Sequence, residues 1–202
     1  MSSYMVLAAV SDALRAILWE AIDQDPVLRP IVASQEAIVF RNPTETAKDS
    51  ANRLSFWLYQ VTEDEFVKNQ PMLRASGRQN NGDEASHKRR DRFPPLALNL
   101  FYLATPYAPS SEADHLLLGK TMQVMYDNAI VLLRDEANQI FEELRIILCR
   151  LSLDDISRVW EALQEPYRLS VCYQVRVARV DSARTLTHAR VIERAAKYGE
   201  VV

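Results

Sequence analysis

The chain has 202 residues, 48% apolar and 25% charged, with a formal charge of -3. That is enough chain to bury a core without help from a disulfide or a metal, and it fits one soluble domain or at most two small ones. The near-neutral balance argues against a general nucleic-acid binder, whose domains carry a clear basic excess.

The first predicted element is a helix. Val6, Val10, Leu14, Ile17, Leu18, Ala21 and Ile22 recur at three-to-four spacing between Asp12, Arg15, Glu20 and Asp23, and Pro26 closes the run. Its apolar start is broken by Ser11 and Asp12 and follows no basic segment, so it reads as neither a signal peptide nor a membrane span. Residues 37–41 form a short strand candidate, followed by a polar turn at Asn42 and Pro43. Residues 54–61 (L-S-F-W-L-Y-Q-V) are bulky on both alternating sets, which predicts an interior strand covered on both faces.

Residues 74–92 have almost nothing to bury and predict a long loop with six Lys or Arg against three acids. It reads either as a solvated loop or as a segment that orders against an acidic partner surface. Residues 96–104 (L-A-L-N-L-F-Y-L-A) form a second buried strand, ended by Thr105 and Pro106. This uncharged stretch is too short to cross a bilayer. Ser111 and Asp114 have capping-box spacing for a helix from Glu112 to about Asn128, with Leu118, Met122 and Met125 on its core face. Residues 129–141 are ambiguous between a loop and a short helix.

A third strand is expected at 144–151. Ser152 and Asp155 then repeat the capping box for a helix with Leu153, Ile156, Val159, Trp160 and Leu163 facing the core, stopped by Pro166. Residues 169–180 alternate most clearly, with Leu169, Val171, Tyr173, Val175 and Val177 on one face and Ser170, Cys172, Gln174 and Arg176 on the other. The tail, residues 181–202, is either a terminal helix on its own core or an arm that reaches a neighbour. The sum is an α/β single domain, residues 1–180, with a mixed sheet of about five strands packed with three to four helices.

Chemistry finds no foothold in the motifs. Of the 4 glycines, Gly77 and Gly82 have P-loop spacing, but Asp83 and Glu84 stand where a Lys and a Ser or Thr would meet phosphate and Mg²⁺. Neither G-x-G-x-x-G nor G-x-S-x-G occurs. His87, His115 and His188 are scattered and lack partners at metal-ligand spacing. The acidic clusters at Glu63-Asp64-Glu65 and Asp154-Asp155 suit a solvated turn and a helix first turn, and neither these nor Asp135-Glu136 and Glu142-Glu143 resemble a calcium loop. Cys149 and Cys172 fall in apolar runs and read as two buried structural thiols, a disulfide or redox pair being the alternative. No catalytic residue, cofactor or metal is expected.

Four stretches taken together resemble a known family. They are 56–69 (F-W-L-Y-Q-V-T-E-D-E-F-V-K-N), 94–108 (P-P-L-A-L-N-L-F-Y-L-A-T-P-Y-A), 116–128 (L-L-L-G-K-T-M-Q-V-M-Y-D-N) and 151–177, which holds the Trp160 helix and then P-Y-R-L-S. In this order they are similar to the N-terminal domain of the cap, or tail-terminator, proteins of contractile injection systems, which are phage-tail-like particles. Trp160, Pro166 and Tyr167 also have local reasons to be there, so the last motif reads as architecture and not as a catalytic site.

The resemblance implies a structural role without catalysis. Such a protein forms a homo-oligomeric ring, a hexamer in family members, on the last layer of inner tube and sheath and ends the growth of both. Implied partners are the sheath protein and the inner tube protein, with no nucleic acid and no membrane. The implied location is the bacterial cytoplasm during assembly, within a particle that is retained or released. Longer family members carry a second domain, whose duty is expected to be absent here or held by a second cap paralogue. A small binding or adaptor module unrelated to a particle is the alternative. The partner-binding candidates come from polarity and position: Arg74, Arg78, Lys88, Arg89, Arg90 and Arg92 in the basic loop, and Arg184, Arg190, Arg194 and Lys197 in the tail.

Overall fold

The computed structural model describes residues 3–49, 51–67, 73–74, 89–134 and 138–188. In chain order the elements are α1 (Val6–Asp23), β1 (Ile38–Val39), α2 (Pro43–Thr46), β2 (Arg53–Glu63), β3 (Leu73–Arg74), β4 (Arg89–Arg92), β5 (Leu96–Tyr107) and α3 (Ser111–Asp127). They continue with β6 (Ile130–Arg134), β7 (Ile140–Leu148), α4 (Leu153–Ala162), β8 (Val171–Val180) and β9 (Thr185–His188).

Six strands form the main sheet in the order β1-β2-β5-β8-β7-β6. β1 runs parallel to β2 and every other neighbour is antiparallel, which makes the sheet mixed, as the lack of strict α/β alternation predicts. α1 and α3 pack on one face. α1 buries Val6, Val10, Leu14, Leu18 and Ile22, one residue per turn, against inward residues of the strands. At the centre Phe56, Tyr102 and Tyr173 meet across three strands, with ring centroids 5.3 Å and 6.0 Å apart. Burial pushes the Tyr102 hydroxyl up to about 12, and that hydroxyl shares a 3.2 Å hydrogen bond with the Ser11 hydroxyl on α1.

Several local expectations are corrected. The polar turn at Asn42 and Pro43 is the start of the single turn α2, because the Asn42 side chain accepts the Thr44 N–H and Pro43 suits a first helical position. β2 is covered on both faces only over its first half; Gln60 and Val61 are exposed. β5 runs through Pro106, which pairs with Leu54. On its other side β8 begins only at Val171 opposite Ala104, so the missing N–H of Pro106 interrupts no ladder there.

α3 is capped by Ser110 and not by Ser111, since the Ser110 hydroxyl accepts the Ala113 N–H at 3.2 Å. Met125 is in the core but Met122 is 37% exposed, because the buried stripe runs through Leu117, Leu118, Thr121 and Val124. The ambiguous stretch after α3 holds β6 and the start of β7, which pair antiparallel, so the strand expected at 144–151 begins at Ile140 and ends at Leu148. α4 has the predicted reciprocal Ser152–Asp155 capping box and buries Ile156 and Trp160, whereas Leu153 is exposed. In β8 the register slips by one residue against β5, so that Ala178 follows Tyr173 and Val175 into the core and the simple alternation ends.

Candidate interaction surfaces

The motif that carries the family resemblance closes a structural junction. Arg168, in the link from α4 to β8, donates from Nη2 to Asp114 Oδ2 at 2.9 Å and from Nε to the Pro106 carbonyl at 3.2 Å. Its guanidinium lies 4.5 Å from the centroid of the Tyr107 ring, whose hydroxyl donates to the Pro43 carbonyl at 2.9 Å. Asp114 Oδ1 also accepts the Ala108 N–H at 2.8 Å. Burial pushes the Tyr107 hydroxyl up to about 12. On the other flank Trp160 Nε1 donates to Ser170 Oγ at 3.1 Å, and Ser170 donates on to the Arg168 carbonyl at 3.1 Å. Each polar group of Pro-Tyr-Arg-Leu-Ser named here is spent on joining α2, β5, α3, α4 and β8. The arrangement offers no group aimed at a substrate.

The second face of the sheet is divided. α4 covers its β2–β5 part, where Trp160, Ile156, Val159 and Leu163 pack with Leu103, Trp57 and Tyr59. Beyond it, on β6 and β7, the same face exposes Ile130, Leu132, Phe141 and Ile147 beside Glu143 and Arg145. β6 is also an edge strand of the main sheet.

The third feature extends the three middle strands. β3, β4 and β9 form a second sheet in the order β3-β4-β9. Glu63 of β2 leads toward β3, β4 leads within three residues into β5, and Val180 of β8 leads within four into β9, so the small sheet repeats the order β2-β5-β8. Arg74, Arg89, Arg90 and Arg92 of the predicted loop therefore lie on paired strands, opposite Asp91, His188, Thr187 and Thr185 in register. A loop was expected over that whole stretch; its two ends are strands. Arg184, at the junction, is exposed and places its guanidinium 4.8 Å from the centroid of the Phe93 ring. The basic loop and the tail, two separate segments in the sequence, are thus joined by backbone pairing. Arg78, Lys88, Arg190, Arg194 and Lys197, with His87 and Asp135-Glu136, lie outside the described residues.

Two further cations of β8 are neutralised internally. Arg176 Nη2 lies 3.5 Å from Asp64 Oδ2, and Arg179 holds Glu142 through Nε and Nη2 at 3.1 and 2.8 Å, with its backbone N–H also donating to that carboxylate. Asp64 and Glu142 are 1% and 4% exposed. Both lie inside, against the solvated turn that the sequence predicts at 63–65. The signal for Glu142 was present once β7 is started at Ile140, because period two then aligns it with Leu144 and Ile146 on the core face.

Among the described residues no three His, Cys, Asp or Glu gather as a metal site, and no helix is long and apolar enough to cross a membrane. Two open grooves mark the surface. One of about 390 Å³ runs along Arg15, Phe40 and Arg41, and one of about 350 Å³ lies between Asp25, His115 and Lys120. Cys172 is buried as expected, but Cys149 sits just past the end of β7 and is only half-buried.

Residues 9–194 match the family described as the Pvc16 N-terminal domain. Among solved structures, the chain is similar to the sheath/tube terminator of an extracellular contractile injection system, PVC, in its extended state. The TM-score is 0.62 at 19% identity, over 97% of this chain and 64% of that one. It is also similar to the tube-terminating cap of the anti-feeding prophage, with a TM-score of 0.58 at 16% identity, over 94% of this chain and 60% of that one. Both likenesses are of fold, and the chain spans less than two thirds of either protein's length. None of the curated proteins matches the sequence.

Proposed function

Since the chain belongs to the family of the Pvc16 N-terminal domain, we propose that it is a structural cap of a contractile injection particle. In this reading copies of the chain close into a ring, sixfold by the resemblance, on the last layer of inner tube and sheath. Subunit contacts that close by rotation make a ring; the same contacts left open would make a filament. The ring's lower surface copies the next disc of the stack and its upper surface lacks the template for another, so both polymers stop. The protein acts without catalysis, cofactor or metal. It is made and assembled in the bacterial cytoplasm and stays with the particle.

The observation that carries this reading is that one family match spans 9–194 while the two terminator structures share the fold over nearly the whole chain. The Arg168 junction supports it, because the family-like motif is consumed in holding the domain together. The surfaces assigned to contact are the basic β3-β4-β9 extension with its connecting segment, which carries Arg74, Arg78, Lys88, Arg89, Arg90 and Arg92, and the tail with Arg184, Arg190, Arg194 and Lys197. These meet acidic surfaces of sheath or tube, and the tail docks by strand addition.

Sedimentation tests the role. The protein is expected to travel with megadalton particles, and deletion of its gene to leave particles of irregular length or none. Unchanged particles that lack the protein would remove the cap reading in favour of an adaptor module. Replacing Lys88, Arg89 and Arg90 by Ser is expected to weaken incorporation in a salt-sensitive way, most at low salt, where the lost charges are least screened. Normal incorporation at every salt concentration would take the basic segment out of the contact.

A further inference from the structure

Cys149 and Cys172 are 23 positions apart in sequence and face each other in space. The register of β7 with β8 ends at Leu148 opposite Tyr173, and the next pair continues it, with the Cys149 N–H donating to the Cys172 carbonyl at 2.8 Å. Opposed residues of a hydrogen-bonded antiparallel pair have Cα atoms about 5.5 Å apart. That is inside the roughly 4.4–6.8 Å over which a disulfide closes without backbone movement. The Tyr59 hydroxyl lies 3.1 Å from Cys172 Sγ. Cys172 is 2% exposed, whereas Cys149 is half-buried and gives the pair an opening to solvent.

From this juxtaposition we infer that Cys149 and Cys172 form an oxidisable dithiol, which a small peroxide converts into a cross-strand disulfide at the base of the α4 excursion. Cys149, the half-exposed sulfur, is the one that peroxide reaches first. The Cys149 thiolate attacks one oxygen of hydrogen peroxide; an S–O bond forms, the O–O bond breaks, and hydroxide leaves and takes up a proton as water. The Cys172 sulfur then attacks the sulfenic sulfur. The S–S bond forms, the S–O bond breaks, and the departing hydroxide leaves as water with the proton of Cys172. Two electrons pass from the dithiol to the peroxide, giving one disulfide and two waters.

The bond would close the chain from 149 to 172, the segment that carries α4 and the Arg168 junction, and so fasten α4 to the sheet. This does not rest on the cap reading. The chain has only 2 cysteines, which makes the product unambiguous.

The experiment treats the folded, full-length chain with hydrogen peroxide, against a sample kept in a phosphine reductant. Thiols are titrated after denaturation, and intact mass and thermal unfolding are measured. The expected product is a monomer lower in mass by two hydrogens, without titratable thiol, whose unfolding midpoint is several degrees higher and returns on reduction. Cys149→Ser, at the half-exposed position, is expected to show neither the mass loss nor the shift. Two surviving thiols, a mass raised by added oxygen, or disulfide-linked dimers would each overturn the inference.

Discussion

The outer face of the main sheet is written in similar residues along its width, yet its two parts meet different fates. Over β2 and β5, Leu103, Trp57 and Tyr59 pack with α4, and Trp160 is 3% exposed. Over β6 and β7, Leu132 and Ile147 are 42% and 41% exposed. The difference teaches that apolar side chains on a strand are worth only what covers them. The covered part is also where the family-like motif is spent, through Trp160, Arg168 and Ser170.

The largest expected effect breaks the covered part. Trp160→Ala removes the side chain that joins Ile156, Leu103 and Ser170, and is expected to cost about 3–5 kcal/mol of stability in urea unfolding. A cost below about 1 kcal/mol would mean that α4 contributes little to the domain.

Next comes the reverse side of the bare strand β7, where a charge is buried on the core face. Arg179→Ala leaves Glu142 buried without its cation and is expected to cost about 3 kcal/mol. Glu142→Gln should cost less, because Arg179 is half-exposed and keeps access to water. Equal losses would contradict the asymmetry.

Arg168→Ala is expected to cost about 2 kcal/mol, from its charge-assisted bonds to Asp114 and Pro106. Arg168→Lys should recover only part of this, because an ammonium cannot span both acceptors and stack on Tyr107. Full rescue by Lys would reduce the junction to a simple ion pair.

The Ser152–Asp155 capping box gives a smaller, pH-dependent effect. Hydrogen bonds from the Ser152 side chain and backbone hold the Asp155 carboxyl below its ordinary range. Because the folded state lowers this pKa, the carboxylate's contribution is present above the unfolded value and is lost as pH falls through the folded one. Unfolding of Ser152→Ala at pH 7 and at acid pH should therefore show a difference from the parent protein that shrinks on acidification.

Smallest of all are Leu132→Ser and Ile147→Ser, expected to stay within about 0.5 kcal/mol because both side chains already meet water. Losses as large as that of Trp160→Ala would erase the contrast between the two parts.

Reading the residues in order was enough for the helices with repeated spacing and for the strands that alternate. α1 appears with its buried stripe intact, α4 with its capping box, and the 54–61 and 96–104 runs lie within β2 and β5. Periodicity failed where two tendencies were balanced locally. Residues 130–134 and 140–141 became strand only because β6 could pair with β7, and Met122 lost its place in the core to Thr121 and Val124. The candidate basic residues were legible as a charge pattern, but their grouping was not. Arg74, Arg89, Arg90, Arg92 and Arg184 come together because β2, β5 and β8 continue into β3, β4 and β9, a fact of topology that no local window holds.

By itself, then, the order of residues determined the α/β class, the mixed sheet, the capped helices and the lack of a catalytic motif, since these follow from period, capping chemistry and composition within a few residues. Tertiary structure decided which carboxylates were buried, that Arg176 and Arg179 were neutralised, that Cys149 met Cys172, and which part of the sheet was covered. Each of these depends on groups far apart in sequence reaching one place, where desolvation and pairing are settled by the neighbours that arrive.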